Sequence, residues 1–451
     1  MAQTNRKAAA PVTHEGGPAR HISPKQQLER TLNACLLWED TFYEDGASVA
    51  DRIRQTVAEV DPETCAALAL KARTELHLRH APLLVAVAMT ASPKHQKLVG
   101  ELLGGKGPER GIIQRPDELG EFLSLYWGNE RRPVAAQVKR GLARAVTRFN
   151  AYQLAKWRGT GDRITLRDVL RLTHPKPMSD EQAALFKGII DGTLTAPDTW
   201  EVALSAGANK RATFERLMAE KALPEMAFLM NLRNMLDAGI PATTVAAYCD
   251  ELKFSRVLPF RFITAERHAP AMSDALERAI FRATSEEEKL PGLTAILVDV
   301  SGSMEAVMSN AKGRPSEATR MDAACAVAIH AREICSECAV YTFSERIVQV
   351  PNRRGFGLRD TIVGSQQHGG TYLGAAVQAL NGIANLSRII VLTDEQSADS
   401  VPNPAHGVSG YVVNVAPYKY GVGYGPWTHI DGFSASVIRY IVATEGETLV
   451  S

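Results

Sequence analysis

The sequence predicts an α-helical array followed by a doubly wound, mostly parallel α/β domain. From Ser23 to about Leu290, apolar residues recur every three or four positions, and the connectors are short and carry Pro, Gly or Asp. From Pro291 onward, apolar runs of strand length alternate with helical stretches, the pattern of a parallel sheet covered by helices. The first of those runs closes on an acid, Asp299, and sheets of this kind bind ligands outside the carboxyl ends of their strands.

At 451 residues the chain has room for two or three domains with proper cores, and an apolar fraction of 45% with 22% charged residues is ordinary for a globular protein. The expected organisation is a flexible N-terminal arm (1–22), a helical domain (23–289) and an α/β domain (290–451). Residues Met1 to about Arg20 mix Gly, Pro, Ala and polar side chains without the apolar core of a signal peptide. No run approaches the roughly 20 apolar residues of a membrane helix. Six irregularly spaced cysteines make no disulfide framework. Cys335-x-x-Cys338 lacks a second ligand pair and reads as two reduced thiols at the end of a helix, and His77-x-x-His80 reads as a helix face. These features together suggest a cytoplasmic protein with no membrane partner.

Within the helical part, Leu28-Leu32-Leu36, Ile53-Val57-Val60, Cys65-Leu68-Leu70, Leu83-Val87 and Leu223-Met226-Ala227-Met230 mark inward faces, the last in a helix that Gly239 terminates. No fixed period emerges, so a repeat array and a compact irregular bundle both fit. The stretch Arg131–Lys176 departs from neutrality, with twelve basic residues against Asp162 and Asp168. Arg140, Arg144, Arg148, Tyr152 and Lys156 are each four apart and form a stripe along one helix, with Val134, Val138, Leu142, Val146 and Phe149 opposite. A second helix opens at Thr165, capped with Asp168, carries Arg167, Arg171 and His174 outward, and ends at Pro175. Charge runs are usually solvated faces. Two neighbouring helices with like charges four apart and almost no acids favour instead an anionic partner whose phosphates the cations neutralise.

In the α/β part the expected elements are strands over Leu293–Asp299, Ala339–Phe343, Arg388–Thr393 and Gly410–Val415, with helices near Thr319–Glu333 and Tyr372–Leu380. Asp299, Ser301 and Ser303 alternate at the first strand end and can aim three hard oxygens at one point, which suits Mg²⁺ or another divalent cation. Thr371 follows Gly369-Gly370 at a helix start, and Asp394 closes a second buried strand, so both fall near the same point.

Asp299-x-Ser301-x-Ser303, Thr371 and Thr393-Asp394 resemble the metal-ion-dependent adhesion site of von Willebrand factor A domains. Such domains bind Mg²⁺ or Mn²⁺, often complete its shell with a partner's carboxylate, and are seldom catalytic. The segments Phe149–Lys156, Leu166–Pro177 and Thr199-Trp200-Glu201 resemble the TROVE module of Ro ribonucleoproteins, which precedes an A domain in the same order. That resemblance implies a ring of HEAT-like helical repeats, Y RNA bound on its outer basic surface, and single-stranded ends of misfolded non-coding RNAs held in its centre. It also implies a monomeric protein within a ribonucleoprotein that serves RNA quality control. Lys156, Arg158 or Arg163, and His174 match the family's RNA-contacting residues. Thr31–Asp45 is more similar to bacterial members, so a bacterial or phage source is expected, and with it an exoribonuclease partner such as polynucleotide phosphorylase tethered by Y RNA.

The expected function is therefore non-enzymatic RNA scaffolding, with no catalytic residues. The competing reading is a metal-dependent protein-binding module framed by helices. A metal-dependent hydrolase is weakest, because the site offers no general base.

Overall fold

The computed structural model describes residues 11–33, 46–128, 130–157, 164–195, 200–205, 207–254, 257–285, 287–308, 316–416, 418 and 420–450. They form two compact units, residues 50–222 and residues 1–49 with 223–451.

In the unit 50–222 the described elements are helices, and several of their starts follow from capping chemistry. Asp61 accepts from the Thr64 amide at 2.8 Å with Pro62 in the first turn, and Ser179 and Asn209 cap in the same way. Val138, Leu142, Val146, Phe149, Leu166, Val169 and Leu170 are all buried as the pattern requires.

Three expectations are corrected here. The stripe from Arg140 to Lys156 does not lie on one helix. The helix Ala136–Val146 stops, and Asn150 opens the helix Ala151–Lys156 through a reciprocal cap with Gln153 that competes with continuing the first. Leu70 is partly exposed rather than core, since Leu68, Ala69 and Ala72 already fill the buried face of the helix Pro62–Thr74. His77 lies in the connector before the helix His80–Met89, at φ 58°, and His80 begins that helix, so the pair shares no helix face.

The other unit is built on a six-stranded sheet in the order β3-β2-β1-β4-β5-β6. Its strands are β1 (Leu290–Asp299), β2 (Cys335–Phe343), β3 (Ile347–Gln349), β4 (Leu386–Thr393), β5 (Ser409–Asn414) and β6 (Thr428–Asp431). All pairs are parallel except β2 with β3 at the edge. The short β3 and β6 were not expected from the sequence; Cys335 caps the end of the helix Arg320–Ile334 and opens β2, which also carries Cys338.

One face of the sheet packs Ala295, Leu297, Ile389, Val391 and Val412 against Leu373, Val377 and Leu380 of the helix Leu373–Leu380. The Ala-rich helix Arg320–Ile334, capped by Thr319 and Asp322, is buried along nearly its whole length beside β1, β2 and β4. The order reverses between β1 and β4, the switch point at which such sheets leave a crevice.

The helices Glu225–Asp237 to Ser273–Ser285, expected with the helical array, belong to this unit. Arg359 pairs with Glu266 at 2.6 Å, Arg267 with Asp322 at 2.7 Å, and Phe260 meets Phe433 edge-on at 5.8 Å. In the helix Glu225–Asp237 the buried side is Phe228, Leu229, Leu232 and Met235, so Met230 faces solvent instead of the core. Residues 11–33 also belong here. Thr13 donates to the Ser397 carbonyl at 2.6 Å, and Leu28, Arg30 and Leu32 of the helix Pro24–Asn33 are fully buried.

Candidate metal centre and basic helical face

Asp299 ends β1, and Asp394 follows β4 on its neighbour, so the pairing of the two strands sets the two carboxylates side by side. The Asp299 Oδ1 accepts from the Ser301 amide at 2.9 Å, which folds Ser301 back over the strand end. Its Oδ2 accepts from Thr393 Oγ1 at 2.6 Å. Ser301 Oγ and Ser303 Oγ lie 3.2 Å apart, Ser303 in a single 3-10 turn, Gly302–Glu305. The Gly302 amide donates to the Gly369 carbonyl at 3.2 Å, tying this turn to the loop that carries Thr371. All five residues singled out in the sequence are buried, Asp299 completely.

Burial pushes the Asp299 carboxyl up, to about 7, and the charge of Asp394 adds to the shift. Two desolvated carboxylates repelling each other beside two hydroxyls form an all-oxygen donor set, which fits a hard divalent cation. Among the described residues no group of three or more His, Cys, Asp and Glu is placed to hold a metal ion. With only two acids here, the hydroxyls of Ser301, Ser303 and Thr371 are the remaining donors.

The acid after Asp394 escaped the sequence reading. Glu395 takes a left-handed backbone, φ 63°, and is fully buried. It meets Arg30 at 2.9 Å and His429 Nδ1 at 2.8 Å, and accepts from the Gly423 amide at 3.0 Å. Burial alone would raise its carboxyl, but Arg30 and His429 outweigh burial and hold it at about 2. His429 also reaches Asp431 at 2.8 Å, which in turn accepts from Asn414 at 2.7 Å. Against the opposing effect of burial, Asp431 and Glu395 raise the imidazole to about 10. The glutamate was visible in Thr393-Asp394-Glu395; its partners, far away in sequence, carried no local signal.

The cationic residues lie in the other unit. Arg140, Arg144, Arg171 and His174 are exposed, and Arg148, Lys156 and Arg167 are partly buried. Arg158 and Arg163 lie outside the described residues. His174 ends the helix Leu166–Thr173 at φ 47°, with its side chain outside the core.

Not all of these cations stand alike. Arg148 donates to the Gly107 carbonyl at 2.8 Å, and Arg144 is bonded to that of Gly105, so these two also brace a loop. Asp168 is occupied in capping its helix. Although burial opposes it, hydrogen bonds from Thr165, with Arg131 and Arg171 nearby, hold its carboxyl below the usual range. The face also carries aromatic rings that the sequence reading passed over. Arg131 lies over Trp127 at 5.2 Å, Arg132 over Tyr126 at 4.2 Å and Arg115 over Trp157 at 4.6 Å.

No helix among the described residues is long and apolar enough to cross a membrane. The family model described as the TROVE domain matches residues 192–332, which begins after the basic helices and takes in β1 with Asp299, Ser301 and Ser303. Telomerase protein component 1 of Rattus norvegicus is 33% identical over 110 residues, 23% of this chain, and that of Mus musculus 32% over 110 residues. The match spans only 4% of the length of either relative. The crystal structure of the Deinococcus radiodurans RO (RSR) protein superposes with a TM-score of 0.57, covering 92% of this chain and 98% of that one. At 17% identity that likeness shows the fold. The chain thus carries a segment similar to the TROVE domain over residues 192–332 and shares the fold of that RO protein.

Proposed function

We propose that the chain is a non-enzymatic RNA-binding protein of the Ro type. TROVE and Ro proteins are an RNA-binding ribonucleoprotein family. The observation that carries the reading to this chain is the exposed cationic face of the helices Ala136–Val146 and Leu166–Thr173. There Arg140, Arg144, Arg171 and His174 stand outward, and the one acid among them is spent on a cap. Cations so placed neutralise phosphates. The RNAs in this reading are small structured non-coding RNAs of the Y type, and misfolded RNAs with an accessible single-stranded end. The protein acts as a scaffold for their quality control or decay, with a tethered exoribonuclease such as polynucleotide phosphorylase as partner.

A second reading, a cation-dependent protein-binding module, is favoured by the buried pair Asp299 and Asp394 beside Ser301 and Ser303. We read these residues with Thr371 as the ligands of Mg²⁺ or a similar ion. Such an ion would supply an open coordination position for a partner's oxygen.

Binding of a structured small RNA, titrated at increasing salt, separates the two readings. Each neutralised phosphate contributes about 0.9 to the slope of log K against log salt on a duplex, so Arg140→Gln with Arg171→Gln lowers the slope by about two. Binding unaltered by reversing Arg140, Arg144, Lys156 and Arg171 to Glu excludes the RNA reading. In the second reading no RNA co-purifies, and Asp299→Ala abolishes capture of a protein partner.

A further inference from the structure

The loop after Asp394 is gripped from two sides. On the inner side it is bonded to two of the candidate cation ligands. The Gln396 amide donates to Asp394 Oδ1 at 3.2 Å, and Gln396 Nε2 to the Asp394 carbonyl at 3.0 Å. The Ala398 amide donates to the Thr371 carbonyl at 2.7 Å.

On the outer side it is held by the N-terminal segment. Thr13 Oγ1 donates to the Ser397 carbonyl at 2.6 Å and accepts from the Gly17 amide at 3.0 Å. The His14 amide donates to Gln396 Oε1 at 2.9 Å. Gly17 lies so close that a methyl group there would sit 2.3 Å from the Ser397 carbonyl oxygen. Behind these contacts Arg30 anchors the loop's first residue, Glu395, and donates to the carbonyls of Tyr418 at 2.6 Å and Tyr420 at 3.0 Å. Gln396 Nε2 reaches the same Tyr420 carbonyl at 2.8 Å.

Glu395 is held in a left-handed conformation that a non-glycine residue keeps only when its surroundings over-determine it. Those surroundings are supplied in large part by residues 13–30. A single loop conformation therefore serves two clients, the ligand oxygens on one side and the N-terminal segment on the other.

Resting on the reading of Asp299, Ser301, Ser303, Thr371 and Asp394 as a divalent-cation site, we propose that Thr13 and Arg30 are positioning residues of that site, and that cation and docked N-terminal segment bind cooperatively. Undocking the segment frees Gln396 and Ser397, and with them the orientation of the Asp394 carboxylate and the Thr371 backbone. By reciprocity, a cation that fixes Asp394 holds the loop in the form the segment recognises.

The test uses the full chain and Mn²⁺ alone. Thr13→Val and Gly17→Ala loosen the segment while leaving the buried Arg30–Glu395 pair intact, so the fold survives where Arg30→Met strands a buried carboxylate. Each variant is expected to bind Mn²⁺ about fivefold more weakly or worse, the lower end of ordinary coupling, with an unchanged circular dichroism spectrum. In the wild type, saturating Mn²⁺ slows amide exchange at His14, Gly17, Ala19 and Arg20 by the same factor, and Asp299→Ala abolishes that slowing. A merely structural segment lowers the melting temperature when loosened but moves neither readout. Equal Mn²⁺ affinity in wild type and variants, or exchange indifferent to Mn²⁺, overturns the coupling alone. A wild type that binds no Mn²⁺ overturns the cation-site reading and the coupling together.

Discussion

Arg30 on the helix Pro24–Asn33 and Glu395 after β4 form a 2.9 Å ion pair with both side chains fully buried. His429 and Asp431 extend it into a quartet of two cations and two anions. Its charges give stability a definite pH dependence. Glu395 is depressed from 4.5 to about 2, so its contribution is present above 4.5 and is lost as pH falls through 2. His429 is raised from 6.5 to about 10, so its contribution is present below 6.5 and is lost as pH rises through 10. Urea midpoints are expected to peak between these windows and fall on the alkaline side. His429→Gln flattens the alkaline limb, and a limb equally steep in that variant rules out the quartet as its source. Truncating Arg30 alone should cost about 3–5 kcal/mol, since it strands a buried carboxylate.

Asp299 and Asp394 are buried together and repel, which predicts an unusual sign for a core substitution. Asn at 299 keeps an acceptor for the Ser301 amide and can donate to Thr393 Oγ1 in place of accepting from it. In chelator-treated protein, Asp299→Asn is expected to melt at or above the wild type. On addition of MgCl₂ the wild type gains about 2.7 kcal/mol at a hundredfold excess over Kd, and the variant gains none. Differential scanning calorimetry with and without the ion decides it. Equal gains in both proteins remove Asp299 from the ligand set.

Legibility in the sequence follows the range of the interactions. Capping at Thr165, the buried runs of β1 and β4, and the assembly of Asp299 with Asp394 at the switch point rest on local pattern and strand order, and all were readable. The break at Asn150 was hidden because Arg140 to Lys156 keeps a perfect spacing of four, and only the side chain of Asn150 says that the helix restarts. Strands of three and four residues such as β3 and β6 are too short to show a period. The partners of Glu395 and the docking of Thr13 are long-range contacts without local trace, so an N-terminal stretch rich in Gly and Pro reads as a loose arm.

The helices Pro93–Gly104 and Ala136–Val146 cross through glycines. A methyl group on Gly104 would sit 2.5 Å from the Gly141 carbonyl oxygen and 2.8 Å from Arg144 Cβ, and one on Gly141 would sit 3.0 Å from the Gly100 carbonyl oxygen. The backbone of Gly104 is not left-handed, so any cost of a side chain there comes from contact rather than from strain. Gly104→Val should force the helices apart and destabilise the unit 50–222 by about 1–3 kcal/mol, the usual range for overpacking. Because Arg140 and Arg144 ride on the displaced helix, RNA affinity should fall as well. The salt slope should stay near the wild-type value, since no charge is removed. Thermal melts and filter binding across a salt series measure both effects. A variant that is destabilised yet binds RNA as tightly as the wild type would place the RNA surface elsewhere than on the helix Ala136–Val146.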